Sequence, residues 1–202
     1  ILIIRHWSKL PLAVKTLGIF LAWNFFIEMA SRALQFYEIN NLPLLHAYTL
    51  GEFILFSLFF YSLEPIKNWN KAGRYIFLTL GSVFILLNSL FLQPITGFNS
   101  YAKSFVQIAI ISYSLVLFFF LIGKETIHQT SHDKPLKWIN AGILTYYCGS
   151  LFIFMFSDFF YDEGQHLPAI FWFFNSVLNL TFQVIVLYAL WKICQKTPKY
   201  SS

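Results

Sequence analysis

Charged residues, glycine and cysteine are all scarce in this chain. Only 11% of its 202 residues are charged, whereas a soluble domain carries roughly a quarter. So little charge argues against an ordinary water-facing surface. The two cysteines exclude a disulfide scaffold. The nine glycines exclude a collagen-like repeat.

Apolar residues make up 57% of the chain and aromatic residues 21%, which excludes disorder and indicates a membrane protein. A membrane helix needs about 20 apolar residues, so a chain of this length accommodates about six. The runs lack the alternation of strands in a membrane barrel. We therefore predict an all-α, polytopic transmembrane helical bundle that forms a single domain over residues 1–202. Its spans are expected at residues 12–31, 44–63, 75–92, 101–122, 138–160 and 169–191.

The basic residues are distributed unequally between the two ends of the predicted spans. Twelve of the 14 Lys and Arg residues lie at one end, and only Arg32 and Lys103 lie at the other. Basic residues favour the cytoplasmic side of a membrane. We therefore expect a multi-pass protein of the cell inner membrane, with both ends of the six-span unit, the basic loops and the C-terminus in the cytoplasm. The same bias accounts for the net charge of +5 without a nucleic-acid partner.

The apolar residues 1–4 precede Arg5 and admit two interpretations. They are either the tail of an upstream helix or an ordinary apolar N-terminus. The first interpretation gives the intact protein seven spans, with its N-terminus outside.

Polar side chains inside three of the spans recur on one helical face. The faces comprise Asn24, Glu28 and Arg32 in the first span, Asn175, Asn179 and Gln183 in the sixth, and Ser100, Ser104, Gln107 and Ser114 in the fourth. Polar groups in hydrocarbon are costly unless they face the bundle interior. We expect these three faces to point inward.

Counted by helical rise, most intramembrane polar residues fall in the outer half of the bundle. Glu52 lies about 12 Å from the outer end of its span, and Gln107 and Asn175 lie about 9 to 10 Å from theirs. The inner half is mainly aromatic and aliphatic, like a plug. We therefore predict a polar pocket open to the outer side, with these candidate ligand-binding residues: Glu28, His46, Tyr48, Glu52, Asn88, Gln107, Asn175 and Asn179.

Each candidate also has a structural alternative. Glu28 and Arg32 have the spacing of an ion pair within a helix, and the amides of the sixth span suit hydrogen bonds between helices. Tyr48 suits an interfacial aromatic residue. Glu52 has no basic residue within a turn on its own helix. It must therefore be protonated, paired across helices or hydrated.

Sequence motifs identify no catalytic residue, no metal site and no cofactor. The chain has no HExxH, GxSxG or GxxxxGK[ST] motif. His128 and His132 have a metal-ligand spacing, but a solvated loop is the favoured interpretation, and the same holds for His166. Cys148 and Cys194 are expected at different depths, so they are not expected to pair.

A resemblance to a known family rests on three stretches of the sequence. They are residues 46–60 around Glu52, Phe98-Asn99-Ser100-Tyr101, and residues 138–179 with Tyr146-Tyr147, Asn175 and Asn179. In these stretches the chain resembles a family of small uncharacterised bacterial integral membrane proteins. The resemblance implies a bacterial inner-membrane bundle of six or seven helices. It implies no reaction.

Three functions remain open at this point. The favoured hypothesis is a membrane-embedded sensory or ligand-binding module, which takes a small molecule or ion from the outer side and signals through a protein partner in the membrane or cytoplasm. The second is a small-solute or proton-coupled transporter using Glu52 and Glu28, which predicts a second polar path to the cytoplasm. The third is a lipid-modifying enzyme, which predicts at least two of His46, Glu28, Glu52 and Asp158 about 3 Å apart. Membrane lipid is an expected partner of all three.

Overall fold

The fold is seen in a computed structural model, which describes Trp7 and residues 10–64, 66–127, 134–162 and 169–196. Within these ranges the chain is helical and contains no strand. The long helices are α1 (Leu12–Phe36), α2 (Leu42–Tyr61), α3 (Lys71–Leu87), α4 (Ser100–Ile127), α5 (Lys134–Asp162) and α6 (Ala169–Lys196). A π-helical turn, Asn88–Leu92, continues α3, and a 3-10 turn, Ile66–Asn68, precedes it.

Local sequence signals explain where several helices begin. Pro11 directly precedes α1, and Pro43 lies in the first turn of α2, where the missing proline N–H costs nothing. The Asn70 side chain accepts a hydrogen bond from the Ala72 backbone N–H at 2.9 Å and caps α3. Similarly, Asn40 accepts from the Leu42 N–H at 2.9 Å at the start of α2.

The six helices of the described ranges are each long and apolar enough to cross a membrane. Large apolar side chains cover their outward faces, as on α1, where Phe25 and Phe26 are 67% and 65% exposed. In a membrane, lipid chains solvate such an apolar surface. Each helix forms the hydrogen bonds of its own backbone N–H and C=O groups. The fold is therefore that of a multi-pass membrane protein. Within the described ranges this confirms the prediction of an all-helical bundle with six helices that can span a membrane.

Helix α2 holds the central position in the bundle. It packs against α1, α3 and α4, while α4 packs against α5 and α5 against α6. The ring of Phe20 on α1 approaches that of Phe182 on α6, with centroids 6.2 Å apart, so α6 returns to α1. Helix α3 lies outside this ring of helices, and its apolar window is only 17% buried.

The helices alternate in direction, so the bundle has two distinguishable ends. We call the basic end the one where α1, α3 and α5 begin. The other we call the cavity end. Described basic residues of the basic end include Lys15, Lys67, Lys71, Arg74, Lys124, Lys134, Lys137 and Lys192.

Aromatic rings fill the middle of the bundle. Phe20 and Phe56 lie edge to face at 4.6 Å, and Tyr146 stacks on Phe182 at 5.5 Å. Tyr147 packs against Phe56 at 5.4 Å. These rings join α1, α2, α5 and α6 in one layer, which separates the cavity end from the basic end.

Candidate functional site

A cavity of about 440 Å³ opens at the cavity end between α1, α2, α5 and α6. We call it the polar cavity. Its wall combines amide and carboxylate side chains with five aromatic rings. The lining residues are Asn24, Ile27, Glu28, Ser31, Gln35, Asn41, Leu42, Leu44, Leu45, Tyr48, Phe98, Tyr146, Phe154, Trp172, Asn175 and Asn179.

Four of the eight predicted pocket residues line this cavity: Glu28, Tyr48, Asn175 and Asn179. The other four are not among its lining residues. Glu52, Gln107, Asn88 and His46 instead make side-chain hydrogen bonds within the bundle. Half of the predicted pocket residues therefore form the cavity wall, and the other half form hydrogen bonds inside the bundle.

Glu52 is paired across helices, which was one of the three alternatives left by the sequence. The Lys103 ammonium on α4 lies 2.5 Å from one oxygen of its carboxylate. The Tyr147 hydroxyl on α5 donates to the other oxygen at 2.8 Å. The side chains of Glu52 and Lys103 are both 0% exposed. Three helices thus meet at one buried, charge-neutral group of side chains.

Lys103 was expected among the charges at the outer ends of the spans, but its side chain lies inside the bundle. It lies just inside α4, one turn after Ser100, and its side chain is fully buried. A signal for this was present in the sequence. Ser100, Lys103 and Gln107 follow one another at spacings of three and four, which places all three on one helical face. All three are buried.

Two rings lie between the polar cavity and the buried ion pair. The Lys103 ammonium lies 4.5 Å from the centroid of the Tyr48 ring and 5.1 Å from that of Phe154. Both Tyr48 and Phe154 also line the cavity. The same two side chains therefore contact the ion pair and form part of the surface a ligand would meet.

Asn88 and His46 belong to a separate polar network, where α2 meets the end of α3. The Asn88 amide donates to Gln93 at 3.1 Å and to Asn99 at 2.8 Å. His46 is hydrogen-bonded through Nδ1 to the Ser89 hydroxyl at 2.8 Å and through Nε2 to the Gly97 carbonyl at 3.3 Å. This network fixes the connection between the π-helical turn and α4.

Gln107 joins α4 to α5 at the level of the ion pair. Its amide Nε2 donates to the Ser150 hydroxyl at 2.8 Å. Nearer the basic end, the Ser114 hydroxyl donates to the Asn140 side chain at 2.6 Å and the Asn140 amide donates back to the Ser114 carbonyl at 3.0 Å. Gln107 and Ser114 of the α4 polar face thus make interhelical hydrogen bonds to α5.

A second depression of about 570 Å³ lies between α3 and α4 near the basic end. Its wall is largely aromatic and aliphatic, with Phe77, Phe105 and Ile108 among its residues. Such a surface matches lipid chains and offers few polar groups to a polar ligand. The polar cavity is therefore the better candidate for specific recognition.

The enzyme hypothesis predicts that two of its four candidate residues lie about 3 Å apart. Among the candidates whose side chains are described, Glu28, His46 and Glu52, each contacts other residues instead. Glu52 pairs with Lys103 and Tyr147, and Glu28 with Arg32. His46 contacts Ser89 and Gly97 instead of a carboxylate. The side chain of Asp158 lies outside the described part of the chain.

Metal binding also finds no support within the described ranges, which contain no group of three or more His, Cys, Asp or Glu residues that could hold an ion. His128, His132 and His166 lie outside the described residues. The structure thus leaves the solvated-loop interpretation of these histidines as a prediction.

The chain is thus a multi-pass helical membrane protein with a ligand-sized cavity at one end. Comparison with known proteins finds no matching family model, no matching curated protein and no matching solved structure. The resemblance to small bacterial membrane proteins stays a prediction.

Proposed function

We propose that this chain is a membrane-embedded sensory module that binds a small molecule in the polar cavity and passes the signal to a partner protein. The observation that carries this proposal is the shared wall. Tyr48 and Phe154 line the cavity and also contact the ammonium of Lys103. A ligand that displaces either ring changes the surroundings of the buried ion pair.

The ion pair gives such a displacement an effect beyond the cavity. Glu52, Lys103 and Tyr147 lie on α2, α4 and α5, so a shift at this group involves three helices. A ligand alters the balance between two arrangements of a bundle only when it binds one of them better. The proposed module therefore has two helix arrangements that differ in the position of Tyr48 or Phe154.

For orientation, we propose that the cavity end faces the outside of a bacterial inner membrane and that the basic end faces the cytoplasm. The excess of Lys and Arg at the basic end supports this orientation. The described residues are almost entirely membrane helices and short connections. We propose that the signal passes to a protein partner, in the membrane or at the basic end.

A proton-coupled transporter is the second candidate, and the buried Glu52–Lys103 pair favours it. Ionisable residues inside membrane spans commonly mark ion or proton pathways. Transport also needs a route from this pair to the basic end. Large buried side chains occupy that direction, including Phe56, Phe60, Leu117 and Ile143. The closed layer favours a sensor over a transporter.

A small-molecule library screened by thermal shift tests the proposal on the purified full chain in lipid nanodiscs. Asn179→Trp fills the polar cavity, while the neighbouring Leu180→Trp places the same ring on a lipid-facing position that is 64% exposed. We expect some compounds to raise the melting temperature of the native chain and of Leu180→Trp but not that of Asn179→Trp. If every stabilising compound acts equally on Asn179→Trp, the cavity is not the receptor site.

The same compounds distinguish a sensor from a transporter. Each compound that stabilises the native chain is added to proteoliposomes, and its accumulation inside is measured with and without a proton gradient. A sensory module predicts binding without accumulation. Uptake that depends on this chain would instead establish the transporter.

A further inference from the structure

We propose that the polar cavity is selective for a small organic ammonium ion that carries at least one N–H group. This inference rests on the proposed function, because it names the ligand class of the same cavity. Three independent features of the wall point to it. They are its charge, its aromatic rings and an unpartnered acceptor.

The charge of the wall is negative. Glu28 is the only charged side chain among the described residues that line the cavity, and Lys, Arg and His are absent from that set. Its carboxylate contacts Arg32 at 3.3 Å, but the two side chains are 53% and 70% exposed. Exposed ion pairs contribute little, so an incoming ammonium group can replace Arg32 on this carboxylate.

The aromatic rings provide faces that attract cations. Tyr48, Phe98, Tyr146, Phe154 and Trp172 all contribute to the wall. Phe98 and Trp172 are stacked, with centroids 5.8 Å apart and planes inclined by 16°. A ring face attracts an ammonium group within about 6 Å of its centroid. The Lys103 ammonium already uses Tyr48 and Phe154 in this way from the protein interior.

The unpartnered acceptor is the side-chain oxygen of Asn175. This atom is buried and has no hydrogen-bond partner among the described residues, although Asn175 lines the cavity. A buried acceptor without a donor is costly. Because Asn175 lines the cavity, turning its amide toward the cavity would let a ligand N–H group satisfy this oxygen, which distinguishes an ammonium ion with hydrogens from a quaternary one.

The nearby buried lysine does not make the cavity suited to anions. Lys103 is neutralised by Glu52 and screened from the cavity by two rings. An anionic ligand would meet the Glu28 carboxylate and no lining cation. The volume of about 440 Å³ lies in the range typical of small-molecule sites.

Isothermal titration calorimetry of the full chain in nanodiscs tests the inference with three probes of similar shape. The probes are 2-phenylethylamine, neutral 2-phenylethanol and anionic phenylacetate. We expect the amine to bind at least about tenfold more tightly than either of the others. Glu28→Gln should weaken amine binding by up to about fivefold, as expected for a partly exposed ion pair, and leave the alcohol unaffected. Asn175→Leu should also weaken amine binding.

Glu38→Gln is the matched control, because Glu38 is an exposed carboxylate near the same end that does not line the cavity. It should leave amine binding unchanged. Equal or tighter binding of the alcohol or phenylacetate, blocked by Asn179→Trp, would overturn the ammonium class while supporting a receptor cavity. Amine binding that persists in both Glu28→Gln and Asn175→Leu would also overturn the inference. Failure of the amine to bind would overturn the inference as well. The library screen then decides separately whether the cavity binds other molecules.

Discussion

The ammonium of Lys103 and the carboxylate of Glu52 lie 2.5 Å apart, although 51 residues separate them in the sequence and both side chains are fully buried. Each buried charge is stabilised there by the opposite charge of its partner. Removing one partner of such a pair leaves an uncompensated buried charge. The pair therefore makes the packing of α2 on α4 sensitive to single substitutions.

Lys103→Met tests this dependence. The substitution keeps an unbranched side chain that is one atom shorter, but it leaves the Glu52 carboxylate without its counter-charge, so we expect a loss of about 3 to 5 kcal/mol in the free energy of unfolding. Chemical unfolding in mixed micelles measures it. The double variant Lys103→Met with Glu52→Gln should recover part of the loss, because no unpaired charge then remains.

Lys67→Met is the control for that substitution, since Lys67 is exposed at the basic end. Its stability should stay close to that of the native chain. A Lys103→Met variant as stable as Lys67→Met would show that the buried pair does not hold α2 to α4.

Tyr147→Phe isolates the third member of the group. The variant loses the hydroxyl that donates to Glu52 at 2.8 Å. Hydrogen bonds to charged groups contribute about 1.5 to 3 kcal/mol, so the free energy of unfolding should fall by that amount. Tyr146→Phe is the matched control, because the neighbouring tyrosine lines the cavity instead. Equal losses in the two variants would contradict the assigned hydrogen bond.

Gly51→Val tests the close approach of α1 and α2. A Cβ at Gly51 would meet the indole of Trp23, so a larger side chain must displace either this ring or the helices themselves. Overpacking of this kind costs about 1 to 3 kcal/mol. Gly123→Val serves as the comparison, since a Cβ there has nothing within 4 Å. The same melting temperature for both variants would show that this helix contact is loose.

Cysteine labelling tests the orientation of the bundle. Thr96→Cys places a thiol at the cavity end and Lys67→Cys places one at the basic end, both at exposed positions. In a Cys148→Ala, Cys194→Ala background, an impermeant maleimide should label Thr96→Cys in intact cells. It should label Lys67→Cys only after the cells are opened. The reverse pattern would invert the proposed topology.

Composition and apolar run length were enough to predict the six helices, because a membrane imposes a minimum length on each span. Helical rise also gave useful depths. Glu28, Tyr48, Asn175 and Asn179 were expected at one end, and all four line the cavity there.

The depth of a residue in the membrane does not tell which side of its helix faces the cavity. For this reason the sequence predicted only part of the cavity wall. His46 lies on the side of α2 that meets Ser89, away from the cavity wall, because α3 packs outside the ring of helices. Nothing in one sequence states which helices are neighbours. Lys103 was missed for a different reason. Counting charges for orientation treats every lysine as interfacial, whereas the spacing to Gln107 indicated a buried face.

The π-helical turn at Asn88–Leu92 is the place where α3 accommodates one extra residue. Such a turn holds one residue more than an α-helical turn would. Deleting that extra residue would restore regular α-helical winding, and the residues beyond the turn would keep the directions in which they point. The contacts of Asn88 with Asn99 and of Ser89 with His46 come from within the turn, so deleting either residue would remove its contact. The turn thus adds polar side chains that contact α2 and the connection to α4 without changing the helical register around it.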